Sequence, residues 1–144
     1  MINEKFIEYL AIGYLFLFSL YHITTGVISI FFPKLALKFN KTLYGFQPTD
    51  TIQYLLIIRP WGNLALVVGV IGFIVLMNLD VYSPILFVFI ILLLIRVGYR
   101  VILRNELKKI FKITYAQNLR AILIQIIGIV IFLIFSILKI IGKH

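Results

Sequence analysis

Cysteine is absent, which removes disulfides, thiol nucleophiles and thiolate metal sites from consideration. The two histidines are His22 and the last residue, His144, too few for a histidine metal centre or a haem pair within the chain. Carboxylates are scarce. Glu4, Glu8, Asp50, Asp80 and Glu106 all lie in links or at the edges of apolar runs. No pair is spaced for acid–base catalysis, and none sits in mid-run as a proton relay would require. A phosphate-cradling Gly-rich loop, a nucleophile elbow and an HExxH pair are also missing. These absences predict no metal, no cofactor and no catalytic constellation.

What the chain has is apolar length. Hydrophobic residues make up 62% of its 144 residues and charged ones 13%, more apolar surface than one soluble core of this size can hide. Lipid must therefore be part of its solvent. Crossing ~30 Å of hydrocarbon takes about 20 helical residues. Four runs are long enough: about 6–32, ending at Pro33; about 52–77, with Pro60 inside; about 84–103, opened by Pro84; and about 119–141. Continuous rather than alternating hydrophobicity excludes a transmembrane barrel. The flank Asn3-Glu4-Lys5 is barely basic and no small-x-small site follows, so the first run reads as a retained helix. The expected fold is all-α, a single polytopic domain of four transmembrane helices over residues 1–144.

The links differ. Asn78 to Ser83 is a short turn without basic residues. In Lys34 to Thr49, Leu35, Phe39, Leu43 and Phe46 recur at helical spacing against Lys34, Lys38 and Lys41, and Gly45 and Pro48 close the stretch. That pattern predicts a short helix lying in the interface. Arg104 to Asn118 has a similar mix, with Leu107, Ile110 and Phe111 against Lys108, Lys109 and Lys112, and reads as a second interfacial helix or a prolongation of the third span. The +9 net charge is gathered at these links, where anionic headgroups attract it, so it does not call for nucleic acid. Eleven of the 14 Lys and Arg residues lie toward the two mixed links, and only Lys5, Lys139 and Lys143 lie toward the other side. The positive-inside rule then puts both mixed links in the cytoplasm of a prokaryotic cell membrane and both termini outside.

Polar residues inside the runs are few enough to be read singly. Ser19, His22, Gly26 and Ser29 share one face of the first helix. Gly62, Ala65, Gly69 and Gly72 form a small-residue face on the second, and Gln117, Ala121, Gln125 and Gly128 a face on the fourth. Such faces let helices pack closely, so Gly26, Gly62, Ala65, Gly69, Gly72 and Gly128 are the expected packing positions. Arg96, Arg100 and Arg104 follow one another a turn apart on the third helix. Arg96 lies twelve residues past Pro84, roughly 18 Å from the outer end at about 1.5 Å per residue, so it is in the cytoplasmic half of the span. His22, Arg59, Asn63, Arg96, Arg100 and Gln125 could line a pocket open to the cytoplasm, and guanidiniums without a nearby carboxylate favour an anionic ligand such as a lipid headgroup or a quinone-like head. The competing reading is that the arginines snorkel to headgroups while His22 and Gln125 bond to neighbouring helices.

The stretch GVISIFFPKLALKF, followed by LYG and then RPWGNLALVVGVIGF, resembles the small four-helix membrane proteins of the DoxX-like group. There the first helix ends in a Gly-to-Phe-Pro stretch, here Gly26, Phe32 and Pro33. The second opens with Arg followed by small residues, here Arg59, Gly62 and Gly69. The likeness covers the first half of the chain. It implies a four-helix bundle and, as for some members, a place as a subunit in sulfur or quinone redox complexes. Small size and the missing catalytic groups put first a non-catalytic accessory or structural subunit of a larger membrane complex, partnered by other membrane chains or by itself. The alternatives are a binding protein or carrier for an anionic amphiphile, and a quinone- or lipid-linked enzyme with His22 as its base.

Overall fold

The computed structural model describes residues 3–44, 51–105, 109 and 115–142, with the side chains of 40–44, 51, 53, 54 and 57 left out. Gly45, Phe46 and Pro48, and most of the second mixed link including Leu107, Lys108, Ile110, Phe111 and Lys112, lie outside the described residues. So do the side chains of Lys41 and Leu43.

The described chain is all-helical: α1 (Glu4–Phe31), α2 (Pro33–Tyr44), α3 (Thr51–Met77), α4 (Pro84–Ile102) and α5 (Tyr115–Gly142). Among the described residues, four helices are long and apolar enough to cross a membrane: Glu4–Phe31, Ile58–Met77, Pro84–Ile102 and Tyr115–Gly142. Local chemistry sets their ends. The Asn3 side chain accepts from the Lys5 amide and caps α1. Pro33 disfavours helical geometry at the residue before it, and Phe32 leaves the helix at φ −131°, ψ 63°. Pro33 then opens α2, where its missing N–H is no loss. Asp80 shapes the α3–α4 turn by accepting from the Tyr82 amide through Oδ1 and from the Ser83 amide through its carbonyl. Pro84 follows Ser83 as the first residue of α4. The fourth span begins at Tyr115 rather than near Leu119, because the polar turn Tyr115–Asn118 stays helical after its hydropathy has run out.

Each span buries one stripe. On α1 it is Ile7, Ala11, Leu15, Phe18, Ser19, His22, Gly26 and Ser29; on α4, Leu86, Phe89, Leu93 and Arg96; on α5, Asn118, Gln125, Gly128, Ile129, Phe132 and Phe135. Large apolar side chains such as Leu17, Phe87, Ile95 and Ile127 stay exposed on the outer faces, as lipid solvation allows.

α1 and α3 make the most extensive helix pair, and glycine is the reason. A Cβ added to Gly26 would fall 2.8 Å from the Gly62 carbonyl oxygen and 2.8 Å from the Leu66 amide nitrogen; one added to Gly69 would fall 2.9 Å from the Ile23 nitrogen. Ser19 packs onto Gly72 on the same seam. Elsewhere the bundle is aromatic. Phe89 meets Phe18 and Phe132 edge-on, each at 5.6 Å between ring centroids, and Tyr14 meets Phe132 at 5.9 Å. A smaller cluster gathers where Ala36 of α2 meets Ile58 of α3, with Leu37, Trp61 and Tyr99 around it.

The helix order places α2, the end of α4 and the start of α5 at one end of the bundle, and the start of α1 and the end of α5 at the other. At the terminal end Lys139 reaches Glu4 at 3.0 Å and Glu8 at 3.5 Å. All three side chains are partly exposed to solvent, so Lys139→Ala should lower stability by no more than ~1 kcal/mol. A thermal unfolding series in detergent at low and high salt should show that small loss shrinking as salt rises.

Candidate functional site

Between the aromatic layer and the α2 cluster lies a polar layer. Register places it. Phe89 of α4 packs on Phe132 of α5, and these helices run antiparallel. Seven residues on from Phe89 is Arg96, and seven back from Phe132 is Gln125, so the two face each other. Arg96 is 8% exposed and Gln125 3%. Arg96 Nε and Gln125 Oε1 are buried without a hydrogen-bond partner among the described residues.

His22 enters from α1, 5% exposed and within electrostatic range of both Arg96 and Arg100. Its Nδ1 lies 2.8 Å from the Phe18 carbonyl oxygen, which can only accept, so Nδ1 donates and Nε2 of the neutral ring is left as an acceptor. The ring is stacked on Phe18 at 3.9 Å and flanked edge-on by Tyr21. Tyr14, Tyr21 and Tyr99 also lie within electrostatic range of Arg96. Tyr14 is anchored by donating to the Ile124 carbonyl at 3.0 Å. Its ring fills the space above Gly128, where a Cβ would collide with it. Ser19 Oγ, Tyr99 OH and Arg100 Nε are further buried atoms without a partner among the described residues.

Arg100 is tied through Nη1, while its Nε stays without a partner among the described residues. Arg100 Nη1 donates to Asn118 Oδ1 at 3.3 Å, while Asn118 Nδ2 donates to the Arg100 carbonyl at 3.1 Å. That carbonyl is in the last turn of α4, so Asn118 both bonds the end of α4 and holds the guanidinium. Asn118→Ala should remove both bonds and cost roughly 1–3 kcal/mol, because a part-buried carbonyl and a guanidinium each lose a partner. Thermal unfolding of the variant in detergent checks this, and Asn118→Asp, which keeps one acceptor, should recover part of the loss.

The structure thus brings together His22, Arg96, Arg100 and Gln125. It separates them from Arg59 and Asn63, both exposed on α3. The reason is helical phase. α3 turns Gly62, Val68, Gly69, Gly72 and Val75 inward, and at about 100° per residue Arg59 and Asn63 then point outward. Gly26, Gly62, Ala65, Gly69, Gly72 and Gly128 are all buried. The first four of those glycines mark helix–helix contact, whereas Gly128 serves as a notch for Tyr14. Tyr14 and Asn118 were not foreseen from sequence. Asn118 could have been found, since it lies one heptad before Gln125 on the buried stripe.

The carboxylates described, Glu4, Glu8 and Asp80, sit at the opposite end of the bundle and leave the layer uniformly cationic. Among the described residues no group of three His, Cys, Asp or Glu side chains could hold a metal ion. The layer can bind negative charge and offers acceptors beside it. Compared with protein-family models, curated proteins and solved structures, the chain matches none.

Proposed function

We propose that this protein binds an anionic amphiphile, holding its headgroup at the layer of Arg96, Arg100, His22 and Gln125 while the tail remains in the lipid. The observation that carries this reading is Arg96: a guanidinium buried in an apolar span, with Nε unpartnered and no described carboxylate near it. An uncompensated buried charge costs several kcal/mol, and an anion in contact with it recovers much of that cost. The concentration of Lys and Arg at the same end of the bundle would place the layer toward the cytoplasmic leaflet and both termini outside. An accessory-subunit role, put first by composition, and membership of the DoxX-like group would both accommodate such a site, but neither accounts for a buried arginine with Nε unpartnered.

The test uses the full chain, stripped of lipid in a neutral detergent. Adding phosphatidylglycerol should raise the unfolding temperature and leave one lipid retained in native mass spectrometry, and phosphatidylcholine should do neither. Saturation at about 100 times the dissociation constant corresponds to about 2.7 kcal/mol of stabilisation. Equal effects of the two lipids would sink the proposal. If water-soluble glycerophosphoglycerol stabilised as well as the lipid, the amphiphile would be replaced by a soluble anion.

A further inference from the structure

The groups left over in the polar layer are of two kinds, and that constrains the ligand beyond its charge. Arg96 can only donate. Gln125 Oε1, buried and unpartnered, can only accept. His22 has committed its Nδ1 proton to Phe18, so Nε2 of the neutral ring also accepts. Beside a guanidinium the carbonyl edge of the Gln125 amide is the favoured one to present, because its NH2 edge would set donor against donor.

A ligand that is only an acceptor answers half of this. A carboxylate, a sulfate or a simple phosphodiester would satisfy Arg96 and leave Gln125 Oε1 and His22 Nε2 without protons. A quinone head is acceptor-only and uncharged. Leaving a buried acceptor such as Gln125 Oε1 bare costs roughly 1–3 kcal/mol. A headgroup that combines an anionic oxygen with a donor answers both. The donor should be a hydroxyl rather than an ammonium, since Arg96 and Arg100 together repel a second cation. Ser19 and Tyr99 add hydroxyls that can serve either way.

Resting on the reading of the layer as an anionic headgroup site, we infer that its ligand is a polyol phosphodiester lipid, with the phosphate on Arg96 and headgroup hydroxyls donated to Gln125 and His22. The discriminating pair is phosphatidylglycerol and phosphatidylmethanol with identical acyl chains: both carry one negative charge, and only the first has a headgroup hydroxyl. Wild-type protein in phosphatidylcholine nanodiscs should retain phosphatidylglycerol roughly tenfold better, the ratio expected for one buried acceptor left unmet. Gln125→Leu should reduce that ratio toward one while both anionic lipids still bind better than phosphatidylcholine. Gln125→Met takes its place if the leucine variant does not fold. Arg96→Gln should lose the preference for either anionic lipid. Equal retention of the two by wild-type protein would overturn the hydroxyl requirement and leave the anion site standing. Retention of neither above phosphatidylcholine would remove the site itself.

Discussion

Arg96→Met should make the lipid-free protein more stable and abolish its response to anionic lipid. The two effects share one cause. Arg96 sits on the inward stripe of α4 with its Nε unpartnered, and an arginine deep in a span costs about 2.5–3.5 kcal/mol on insertion scales. Methionine fills a similar length with a flexible apolar chain and has no donors to satisfy. A gain of about 1–3 kcal/mol in the delipidated protein is therefore expected, read as a higher unfolding temperature in neutral detergent. Added phosphatidylglycerol, which should raise the transition of the wild type, should leave that of the variant where it is. Arg59→Met is the control: its side chain is exposed, so neither quantity should change much. A lipid-free Arg96→Met protein less stable than wild type would mean that the guanidinium already has a partner, and the binding site would lose its rationale.

Gly26→Val should be the most damaging single change in the bundle. Its first added carbon alone would stand 2.8 Å from Gly62 O and 3.0 Å from Leu66 Cα, both backbone atoms that no rotamer change can move aside. α1 and α3 would have to separate. That would also unseat Ser29 from Gly62, where a Cβ would come within 2.7 Å, and Ile23 from Gly69. Overpacking costs typically 1–3 kcal/mol, and a clash confined to backbone belongs at or above about 3 kcal/mol. The unfolding temperature and the yield of monodisperse protein should both fall. Gly13→Ala gives the opposite sign, since nothing lies within 4 Å of its would-be Cβ, and alanine in a helix interior gains about 0.5–1 kcal/mol over glycine. If Gly26→Val and Gly13→Ala behaved alike, close approach of α1 to α3 would not be what holds them.

The helices were legible because their signal is bulk hydropathy, which needs no partner to be read. The amphipathic stretch after Pro33 was legible for a related reason: Leu35 and Phe39 against Lys34 and Lys38 is a pattern internal to twelve residues. The inward positions of His22, Arg96 and Gln125 could also be anticipated, since a polar group in a long apolar run has few other places to go. Phase was what the sequence withheld. α3 carries both a glycine face and the pair Arg59 and Asn63, and each is a plausible inward face on its own. Only packing against α1 decides, and the glycines win because the partner offers Gly26 and Ser29 opposite them. Likewise Gln117 and Asn118 are neighbours of equal polarity. Spacing favours Asn118, one heptad before Gln125, and its two bonds to Arg100 show why it is the buried one. Tyr14 is hidden in sequence by its company, an aromatic among apolar residues whose hydroxyl finds its acceptor 110 positions away.

The aromatic layer of Phe18, Phe89 and Phe132 has a consequence for permeability. It lies directly beyond the polar layer, and its buried, edge-on rings fill the centre of the bundle among the described residues. On the proposed reading, the cationic layer would be reached from one side only. A ligand held there would arrive and leave on that side, and vesicles carrying the protein should hold an ion gradient as tightly as empty ones.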